Sequence, residues 1–350
     1  TQFQRLRHSE YSHRVLTVLF NRNAMSNHKI KLAIDGCGDL TSRTILPHLQ
    51  LPDAKAQFEV VALCDIVPEK ARELAQQFAV KQHFASLEHM LEYSDADAVL
   101  VVVPAHLHGE HALLAMRNGR HVYAQKPLAP SLEQADALLR VASEYSVHLV
   151  AAPYQAQWPL FGEVKSLIQH GEIGEPYVAF GPLMGPVARV AALASTRVPA
   201  RRWRDTDIKV TEADCTSLLL EFQSGAQGMM GEAWCAAFDE ATRFRIHGLE
   251  GMIEGLPQFA GYHGIFPLAC RVHHPGKEPR EIRIDPATVS YLQGEHRWLQ
   301  NPHIYADIWH LGQCIRSQAD SRPSAQQARH TVDILETTLK AARNRRVLEL

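Results

Sequence analysis

Two glycines separated by one residue carry the first recognisable chemistry of the chain. The sequence IDGCGDLTS places Gly36 and Gly38 directly after a short apolar run and before residues of helical character. Glycines in such a turn let the backbone approach a pyrophosphate, whose charge the N-terminus of the following helix stabilises. Thr41 stands in place of the third glycine of G-x-G-x-x-G, so a bare structural turn remains the alternative to dinucleotide binding.

An aspartate supports the dinucleotide interpretation. Asp65 ends the second predicted strand, FEVVALCD, at the position from which a carboxylate bonds the adenosine ribose. Ile66 follows where a cation would be needed to hold a 2′-phosphate, so the sequence favours NAD over NADP. Asp35, just before the glycines, would be unfavourable beside a pyrophosphate unless its carboxylate points away from the ligand.

Two further strands bring polar residues to the sheet edge at which ligands bind in open α/β folds. Pro104 ends the run ADAVLVVVPA and His108 follows it; a strand-terminating proline with a solvated histidine is the alternative. The run HVYAQ leads to Lys126 and Pro127. A lysine ammonium there can bond a substrate hydroxyl, or move its proton if burial lowers its pKa. An ordinary surface lysine is the alternative.

The surrounding elements predict an α/β fold. Up to residue 152, short apolar runs alternate with amphipathic helical segments such as VPEKARELAQQFAV. This alternation predicts βαβ units and a doubly wound parallel sheet covered on both faces. After about residue 175, runs such as CTSLLLEF and AQGMMGEAW follow one another through glycine-containing turns. These runs predict an open, mainly antiparallel sheet in an α+β C-terminal domain.

The pattern divides the chain into three regions. Residues 1–27 show no clear period and are predicted to be a disordered N-terminal extension, with Met25 a candidate native start. Residues 28–152 form the predicted dinucleotide-binding Rossmann domain. Residues 153–350 form a predicted substrate and oligomerisation domain. Packing of its C-terminal helix back on the first domain is an alternative that the sequence leaves open.

Composition excludes several function classes. The chain has 350 residues, 36 Lys+Arg against 38 Asp+Glu, and no basic cluster with interleaved aromatic residues, so nucleic acid is a poor partner. Its apolar runs are too short to span a bilayer, so no membrane association is expected. Six scattered cysteines and twenty histidines form no ligand-spaced motif. We therefore expect no metal, and thiols held in a reducing, cytoplasmic compartment.

The stretch AIDGCGDLTS…LCDIVPEKA…DADAVLVVVPAHLHGEHALLAMRNGRHVYAQKPLA resembles the glucose–fructose oxidoreductase / inositol dehydrogenase / MocA (Gfo/Idh/MocA) family. The similarity runs from residue 29 to about 180 and resumes from about 183 to the end. The resemblance implies NAD(P)-dependent hydride transfer at a hydroxyl carbon of a sugar, polyol or related compound. It also implies association into homo-oligomers, dimers or tetramers, through the C-terminal sheet.

The resemblance further implies roles for individual residues. Lys126 matches the lysine of a Glu-Lys-Pro motif that contacts substrate and nicotinamide ribose, and is the implied catalytic residue. Gln125 replaces the glutamate of that motif, and Ala156 stands where the family usually has an arginine. The implied cofactor-binding residues are Gly36, Gly38, Asp39 and Leu40 at the pyrophosphate, Asp65 at the ribose, Pro104 and His108 beside the nicotinamide, and Gln125, Lys126 and Pro127.

The largest departure from the family lies in YVAFGPLMGPVARVAAL. The family has a long segment here, with a glycine run and a helix of the form Asp-x-Gly-x-His that often supplies the acid/base partner of the lysine. In this chain, Gly181-Pro182 runs directly into Leu183-Met184. The departure predicts an oxidoreductase impaired by loss of that helix, or alternatively a catalytically silent dinucleotide- or sugar-binding protein. It also predicts an exposed apolar patch near residues 180–186.

A replacement for the lost group is conceivable in the run HIYADIWH. It contains His303, Asp307 and His310, of which the last two lie three residues apart on one helical face. An amphipathic helix with no catalytic role is the alternative.

Overall fold

The computed structural model describes residues 28–153, 159–178, 185–203, 206–233, 244–256, 268–285, 289, 294–321 and 324–350. The N-terminal extension, Ala156 and the Gly181–Met184 junction with most of its expected apolar patch lie outside these residues. The chain divides into two compact units, residues 1–154 with 294–329, and residues 155–293 with 330–350. Segment 294–329 thus lies in the first unit, and the domain boundaries inferred from the sequence stay a prediction.

A six-stranded parallel sheet forms the centre of the first unit. Its strands are β1 (Ile30–Asp35), β2 (Phe58–Cys64), β3 (Gln82–Phe84), β4 (Ala98–Val101), β5 (His121–Ala124) and β6 (Leu149–Ala151). They lie in the order β3-β2-β1-β4-β5-β6, and each neighbouring pair is parallel. The chain leaves β1 for β2 on one side and reaches β4 on the other, so the topological switch lies between β1 and β4. The predicted doubly wound domain is confirmed.

Helices pack against this sheet. Those of the first unit are a π-helical turn (Thr41–Ile45) that continues into α1 (Leu46–Leu49), then α2 (Pro52–Gln57), α3 (Pro68–Phe78), α4 (Leu87–Tyr93), α5 (His108–Arg117), α6 (Leu132–Glu144) and α8 (Pro302–Ser317). A further helix, α7 (Pro159–Gln169), belongs to the second unit. All four residues of β4 are buried, as are Leu32, Ala33 and Ile34 of β1. Strands covered on both faces explain their near-continuous apolar sequences.

Several helix ends carry residues that are typical of helix caps. Ser86 and Ser131 precede α4 and α6, and each hydroxyl accepts a hydrogen bond from a backbone N–H of the first turn. Pro68 occupies the first turn of α3, where a missing N–H costs nothing. Gly119 follows α5 with a φ of 74°, as expected of a glycine after a helix C-terminus. Among the described helices, none combines the length and apolar character needed to cross a membrane.

The second unit contains a nine-stranded sheet. Its further strands are β7 (Pro176–Val178), β8 (Val187–Ser195), β11 (Cys215–Phe222), β12 (Gln227–Ala233), β13 (Arg245–Gly248), β14 (Met252–Gly255), β15 (Ala269–His273), β16 (Arg280–Arg283) and β17 (Leu348–Glu349), while β9 (Ala200–Trp203) and β10 (Thr206–Lys209) form a separate hairpin. The order is β16-β15-β14-β13-β7-β12-β11-β8-β17. Only β12 and β7 pair in parallel among the described strands of this sheet, so the predicted mainly antiparallel sheet is confirmed.

One face of β8 and β11 forms the core of this unit. Val190, Leu218, Leu220 and Phe222 are buried there against Ala341, which lies on α9 (Ala325–Asn344). Alternate residues on the same strands point to the other face and are more exposed. The sheet is therefore covered by α9 on one side at these strands and open on the other.

Histidines link α1 to the segment before α8 within the first unit. Nε2 of His48 lies 2.9 Å from the carbonyl oxygen of Gln300, and its Nδ1 lies 2.8 Å from Nδ1 of His296. A carbonyl can only accept, so the neutral His48 ring carries its proton on Nε2, while Nε2 of His296 faces the Asp53 carboxylate at 2.9 Å. The two rings are stacked, with Tyr305 stacked on His296 at a centroid distance of 3.9 Å. Burial lowers the pKa of His48 to about 4.

This arrangement predicts a loss of stability in acid. An unfolded histidine has a pKa of about 6.5, so between that pH and about 4 the unfolded chain binds more protons at His48 than the folded chain does. The stabilisation is therefore complete above about pH 6.5 and falls as the pH drops, by up to about 1.4 kcal/mol per pH unit. His48→Gln keeps a donor and an acceptor but does not titrate.

Urea unfolding from pH 7.5 to pH 4 measures the effect. We expect the unfolding free energy of the His48→Gln variant to fall less steeply than that of the wild type. His106→Gln, at an exposed histidine in the turn before α5, should keep the wild-type slope. Identical slopes for all three proteins would contradict this account of His48.

Candidate functional site

The first glycine turn is shaped by a close approach between strands. Gly36 follows β1 with a φ of 104°, and its N–H donates to the carbonyl oxygen of Cys64 at the end of β2, 2.8 Å away. A Cβ at this position would collide with the backbone carbonyl of Val102, just past β4. Both the backbone conformation and the space therefore require glycine.

The second glycine opens onto free space. A Cβ added to Gly38 would meet no atom within 4 Å. Asp39 and Leu40 begin the helix that follows, and the first N–H groups of a helix have no acceptor within it. Thr41 is buried, and its hydroxyl donates to the carbonyl oxygen of Gly36, 2.5 Å away. The turn is thus open at Gly38, held by Thr41 and followed by the first N–H groups of a helix, which fits a pyrophosphate.

Asp65 joins the end of β2 to this turn. Its Oδ2 accepts from the N–H of Cys37 at 2.9 Å, and its Oδ1 accepts from the N–H of Val67 at 2.8 Å. Each carboxylate oxygen can accept further hydrogen bonds, so Asp65 remains able to bind hydroxyls of a ribose. Ile66, next along the chain, is 90% exposed, and presents an apolar side chain where a 2′-phosphate would need a cation.

The carboxylate of Asp35 is directed into the protein. Asp35 is 2% exposed, and its Oδ2 lies 2.6 Å from Nδ1 of His111 on α5. The hydrogen bond that His111 donates to Asp35 raises the pKa of His111, against the opposing effect of burial. A carboxylate engaged with α5 does not conflict with an anion at the glycine turn. His111 was not among the residues singled out from the sequence.

His108 connects the ends of two strands. It is 2% exposed; Nε2 lies 2.8 Å from the carbonyl oxygen of Val103 and Nδ1 lies 2.7 Å from that of Pro127. The alternative of a solvated histidine is therefore wrong. Both ring nitrogens of His108 are engaged with backbone carbonyls, whereas Pro104, in the loop between β4 and α5, is exposed. His108 holds the Lys126–Pro127 turn close to the end of β4.

Lys126 is exposed at the end of β5, and the residue before it is buried. The Lys126–Pro127 peptide is cis. The Lys126 N–H donates to Oε1 of Gln125 at 3.1 Å. Nε2 of Gln125 donates to the hydroxyl oxygen of Tyr123 at 2.8 Å, and that hydroxyl donates to Oδ2 of Asp307 at 3.1 Å. Asp307, on α8, is thus not at hand as an isolated base but belongs to a buried chain that ends at Lys126.

The hydrogen-bond chain from Lys126 to Asp307 was not predicted from the sequence. A strand places residues two apart on the same face, so the run HVYAQ already put Tyr123 and Gln125 side by side. Nothing in the sequence indicates that Asp307 lies beside them, because 184 positions separate it from Tyr123. His310, the other polar residue on that helical face, lies 3.5 Å from the thiol of Cys314.

The predicted residues come together at one edge of the sheet. Gly36 and Gly38 follow β1, Asp65 follows β2, Pro104 and His108 follow β4, and Gln125, Lys126 and Pro127 follow β5. Carboxyl ends of neighbouring parallel strands share one edge, which is where such folds bind ligands. Across the ranges that the structure describes, no group of three or more His, Cys, Asp or Glu side chains is arranged to hold a metal ion.

Two family models match the chain and together span more than half of it. Residues 30–152 match an oxidoreductase family model with an NAD-binding Rossmann fold, and residues 182–254 match the GFO/IDH/MocA C-terminal domain.

Individual relatives match shorter stretches. A dTDP-3,4-didehydro-2,6-dideoxy-alpha-D-glucose 3-reductase of Actinomadura kijaniata is 32% identical over 44% of this chain and 45% of its own length. A 1,5-anhydro-D-fructose reductase of Ensifer adhaerens is 27% identical over 56% of this chain and 68% of its own length. The chain thus aligns with under half of the first relative.

Solved structures share the fold over almost the whole chain. A levoglucosan dehydrogenase, in complex with NADH and L-sorbose, superposes with a TM-score of 0.75. The match covers 92% of this chain and 99% of that one, at 18% identity. A likeness at this identity concerns the fold.

The two glycines predict separable effects of substitution. Gly36→Ala introduces both a clash with Val102 and a strained φ, so we expect it to lower the unfolding free energy by about 2 kcal/mol or more. Gly38→Ala meets no protein atom and should leave stability within about 0.5 kcal/mol. Its methyl group would occupy the open space at the turn, so it should weaken dinucleotide binding by roughly tenfold.

Urea unfolding and titration with NAD, both monitored by fluorescence, measure these two quantities independently. Gly162→Ala, on α7, also meets no atom within 4 Å and serves as the matched control for both. Unchanged NAD affinity in a stable Gly38→Ala variant would show that the glycine turn does not hold the pyrophosphate.

Proposed function

Because the chain belongs to the Gfo/Idh/MocA family of oxidoreductases, we propose that it transfers hydride between NAD and a hydroxyl-bearing carbon of a sugar, polyol or related compound. One observation carries the proposal: an open glycine turn, the Asp65 carboxylate and the exposed Lys126 follow strands of a single parallel sheet at one edge. Two of the relatives are reductases of sugar derivatives, which supports the substrate class.

The residues present fit a dinucleotide. The N–H groups at Gly38, Asp39 and Leu40 would hold the pyrophosphate, and Asp65 would accept hydrogen bonds from ribose hydroxyls. The negative charge of Asp65 and the apolar Ile66 beside it favour NAD over NADP. When bound, the nicotinamide gives or takes the hydride.

Lys126 is the residue proposed to act on the substrate. Its ammonium is exposed beyond the end of β5, while its backbone is tied through Gln125, and the next carbonyl, that of Pro127, is tied to His108. A fixed backbone limits the positions the ammonium can reach, which suits binding a substrate hydroxyl and moving its proton. Pro104 and Pro127 would flank the nicotinamide side of the site.

A second function is a dinucleotide- or sugar-binding protein without turnover. Its support is the direct passage from Gly181-Pro182 to Leu183-Met184, where the resemblance leads one to expect a helix with an acid/base group. An oxidoreductase without that helix would be impaired, because hydride transfer from an alcohol also needs a proton acceptor.

Association through the open sheet face is also proposed. On that face Leu193, Leu219 and Met229 are 73%, 58% and 77% exposed, and Leu219 pairs laterally with Met229 and with Ala191. These residues define an apolar strip across β8, β11 and β12. A second copy of the chain would cover an equivalent strip, giving a homodimer or a tetramer.

We also propose a cytoplasmic location. The five described cysteines, Cys37, Cys64, Cys215, Cys270 and Cys314, are free thiols, which is the usual state in a reducing compartment.

Turnover and binding together test the enzymatic proposal. Lys126→Ala should retain NAD binding and lower kcat/KM for the best polyol in a panel by roughly 10²–10⁴-fold, the usual contribution of a positioned proton-transfer group. Lys81→Ala, which removes an exposed lysine paired with Glu59 before β3 at the far end of the strand order, is the matched control and should keep wild-type activity.

The outcomes separate the two functions. NAD-dependent thermal stabilisation without turnover of any polyol would favour the binding protein. Absence of stabilisation by NAD would reject the oxidoreductase and the dinucleotide-binding protein, and would leave only a sugar-binding protein.

The oligomer is tested by light scattering coupled to size-exclusion chromatography. Leu219→Asp places a charge at the centre of the apolar strip and should shift the protein toward the monomer. Leu249→Asp introduces the same change at a side chain that is 72% exposed in the β13–β14 turn and should leave the assembly unchanged. A monomeric wild type, or a Leu219→Asp variant that still associates, would refute this interface.

A further inference from the structure

The buried chain of hydrogen bonds from α8 to Lys126 has only one possible direction. The backbone N–H of Lys126 can only donate, so the atom of Gln125 that faces it at 3.1 Å must be the oxygen, Oε1. The amide nitrogen of Gln125 therefore faces Tyr123 and donates to its hydroxyl oxygen at 2.8 Å. Tyr123 must then donate its own hydrogen bond elsewhere, and Oδ2 of Asp307 accepts it at 3.1 Å.

The direction of these hydrogen bonds is important because the side chains that form them are buried. Tyr123 and Asp307 are fully buried and Gln125 is 8% exposed, so water does not replace a partner that is lost. Burial and the neighbouring Asp307 raise the pKa of Tyr123 well above its ordinary value. The Tyr123 hydroxyl thus stays protonated, and it can donate a hydrogen bond to only one acceptor at a time.

We propose that Asp307 is a positioning residue for Lys126, and that the chain Asp307–Tyr123–Gln125 accommodates one carboxylate and no more. With the carboxylate at Asp307, every donor has an acceptor and the neutral amide of Gln125 delivers an acceptor to the Lys126 N–H. The functional meaning of this positioning rests on the proposed role of Lys126 in hydride transfer. The existence of the hydrogen-bond chain does not depend on that proposed role.

A carboxylate at position 125, in addition to that of Asp307, would leave one hydrogen bond of the chain without a donor. In Gln125→Glu, the new carboxylate would face the Tyr123 oxygen while the tyrosine hydroxyl already donates its hydrogen bond to Asp307. Two oxygens would then meet without a hydrogen between them, in a buried place that also holds the charge of Asp307. Leaving a buried polar group unpaired in this way is costly.

The same accounting of donors and acceptors predicts two ways to restore the hydrogen-bond chain when a glutamate stands at position 125. Protonation of the introduced carboxylate supplies a hydroxyl that donates to Tyr123, as the amide does. Alternatively, Asp307→Asn supplies an amide donor to the Tyr123 oxygen, so the tyrosine proton turns toward the carboxylate at position 125. In the double variant the chain runs in the reverse direction with its single carboxylate at position 125, and the Lys126 N–H still has a carboxylate oxygen to donate to.

The titratable groups around position 125 set the sign of the pH effect. They are Tyr123 on β5, Asp307 on α8, Lys126 next along the chain and His108 on α5, which bonds the carbonyl after Lys126. Burial and the Asp307 charge disfavour the ionised form of the introduced glutamate, so its pKa in the folded protein lies above the ordinary value of about 4.3. Gln125→Glu should therefore match the wild type most closely in acid and fall behind as the pH rises.

Amide hydrogen exchange at Lys126 tests the proposal without requiring activity. At pH 7.5 we expect the Lys126 N–H to exchange about tenfold or more faster in Gln125→Glu than in the wild type. The difference should shrink toward pH 5, after correction for intrinsic exchange. Asp307→Asn alone should have a small effect, because its amide oxygen can still accept from Tyr123. The double variant should return to within roughly threefold of the wild type.

Two controls complete the design. Gln76→Glu makes the same chemical change at an exposed position on α3 and should leave exchange at Lys126 unchanged. If Gln125→Glu alone does not fold at neutral pH, folding of the double variant is itself the rescue. Wild-type exchange in Gln125→Glu at all pH values, or a double variant as impaired as Gln125→Glu, would overturn the proposal.

Turnover separates this inference from the proposed function. In an active protein, kcat should follow the order seen in exchange, with kcat reduced more than KM is raised in Gln125→Glu, and both restored in the double variant. Recovery of exchange in the double variant without recovery of kcat would reject the positioning of Lys126 for catalysis. A wild type without turnover would reject the proposed function, and exchange would still decide whether Asp307 positions Lys126.

Discussion

The burial of the central strands on both faces is the constraint on which the first unit depends. Residues 98–101 of β4 are all buried, as is most of β1. A strand covered on both sides has no room for an unpaired polar side chain. Polar chemistry is therefore displaced to the loops that follow the strands, and since the strands are parallel, those loops share one edge. The candidate site lies there for this reason.

Buried polar residues at that edge act mainly on the backbone of the loops. Thr41 fastens the glycine turn, Asp65 ties it to the end of β2, and His108 ties the end of β4 to Pro127. Gln125 connects Lys126 to residues deep in the core. These bonds leave Gly38 and Lys126 exposed. The arrangement combines a rigid scaffold with a small number of exposed functional groups, which is what preorganisation of a site requires.

The buried carboxylates Asp35 and Asp307 are each paired with a hydrogen-bond donor. Asp35 faces His111, and the Asp307 carboxylate accepts a hydrogen bond from Tyr123. An unpaired carboxylate in either place would carry a desolvation cost of several kcal/mol. The second unit uses simpler means, with an apolar face of its sheet against α9 and an exposed face opposite, as alternation along β8 and β11 dictates.

The sequence by itself determined the features that depend on neighbours in the chain. Helix starts at Ser86 and Ser131, the glycine turn after β1 and the alternation along β11 follow from local backbone and side-chain chemistry. The polar strand β16 and the exposed hairpin β9–β10 escaped prediction, because their residues bury little and lack a clear hydrophobic period. Only the tertiary structure could decide that Asp307 meets Tyr123, or that His48 meets His296 from 248 positions away. Such contacts depend on which elements pack together, and no local pattern records that choice.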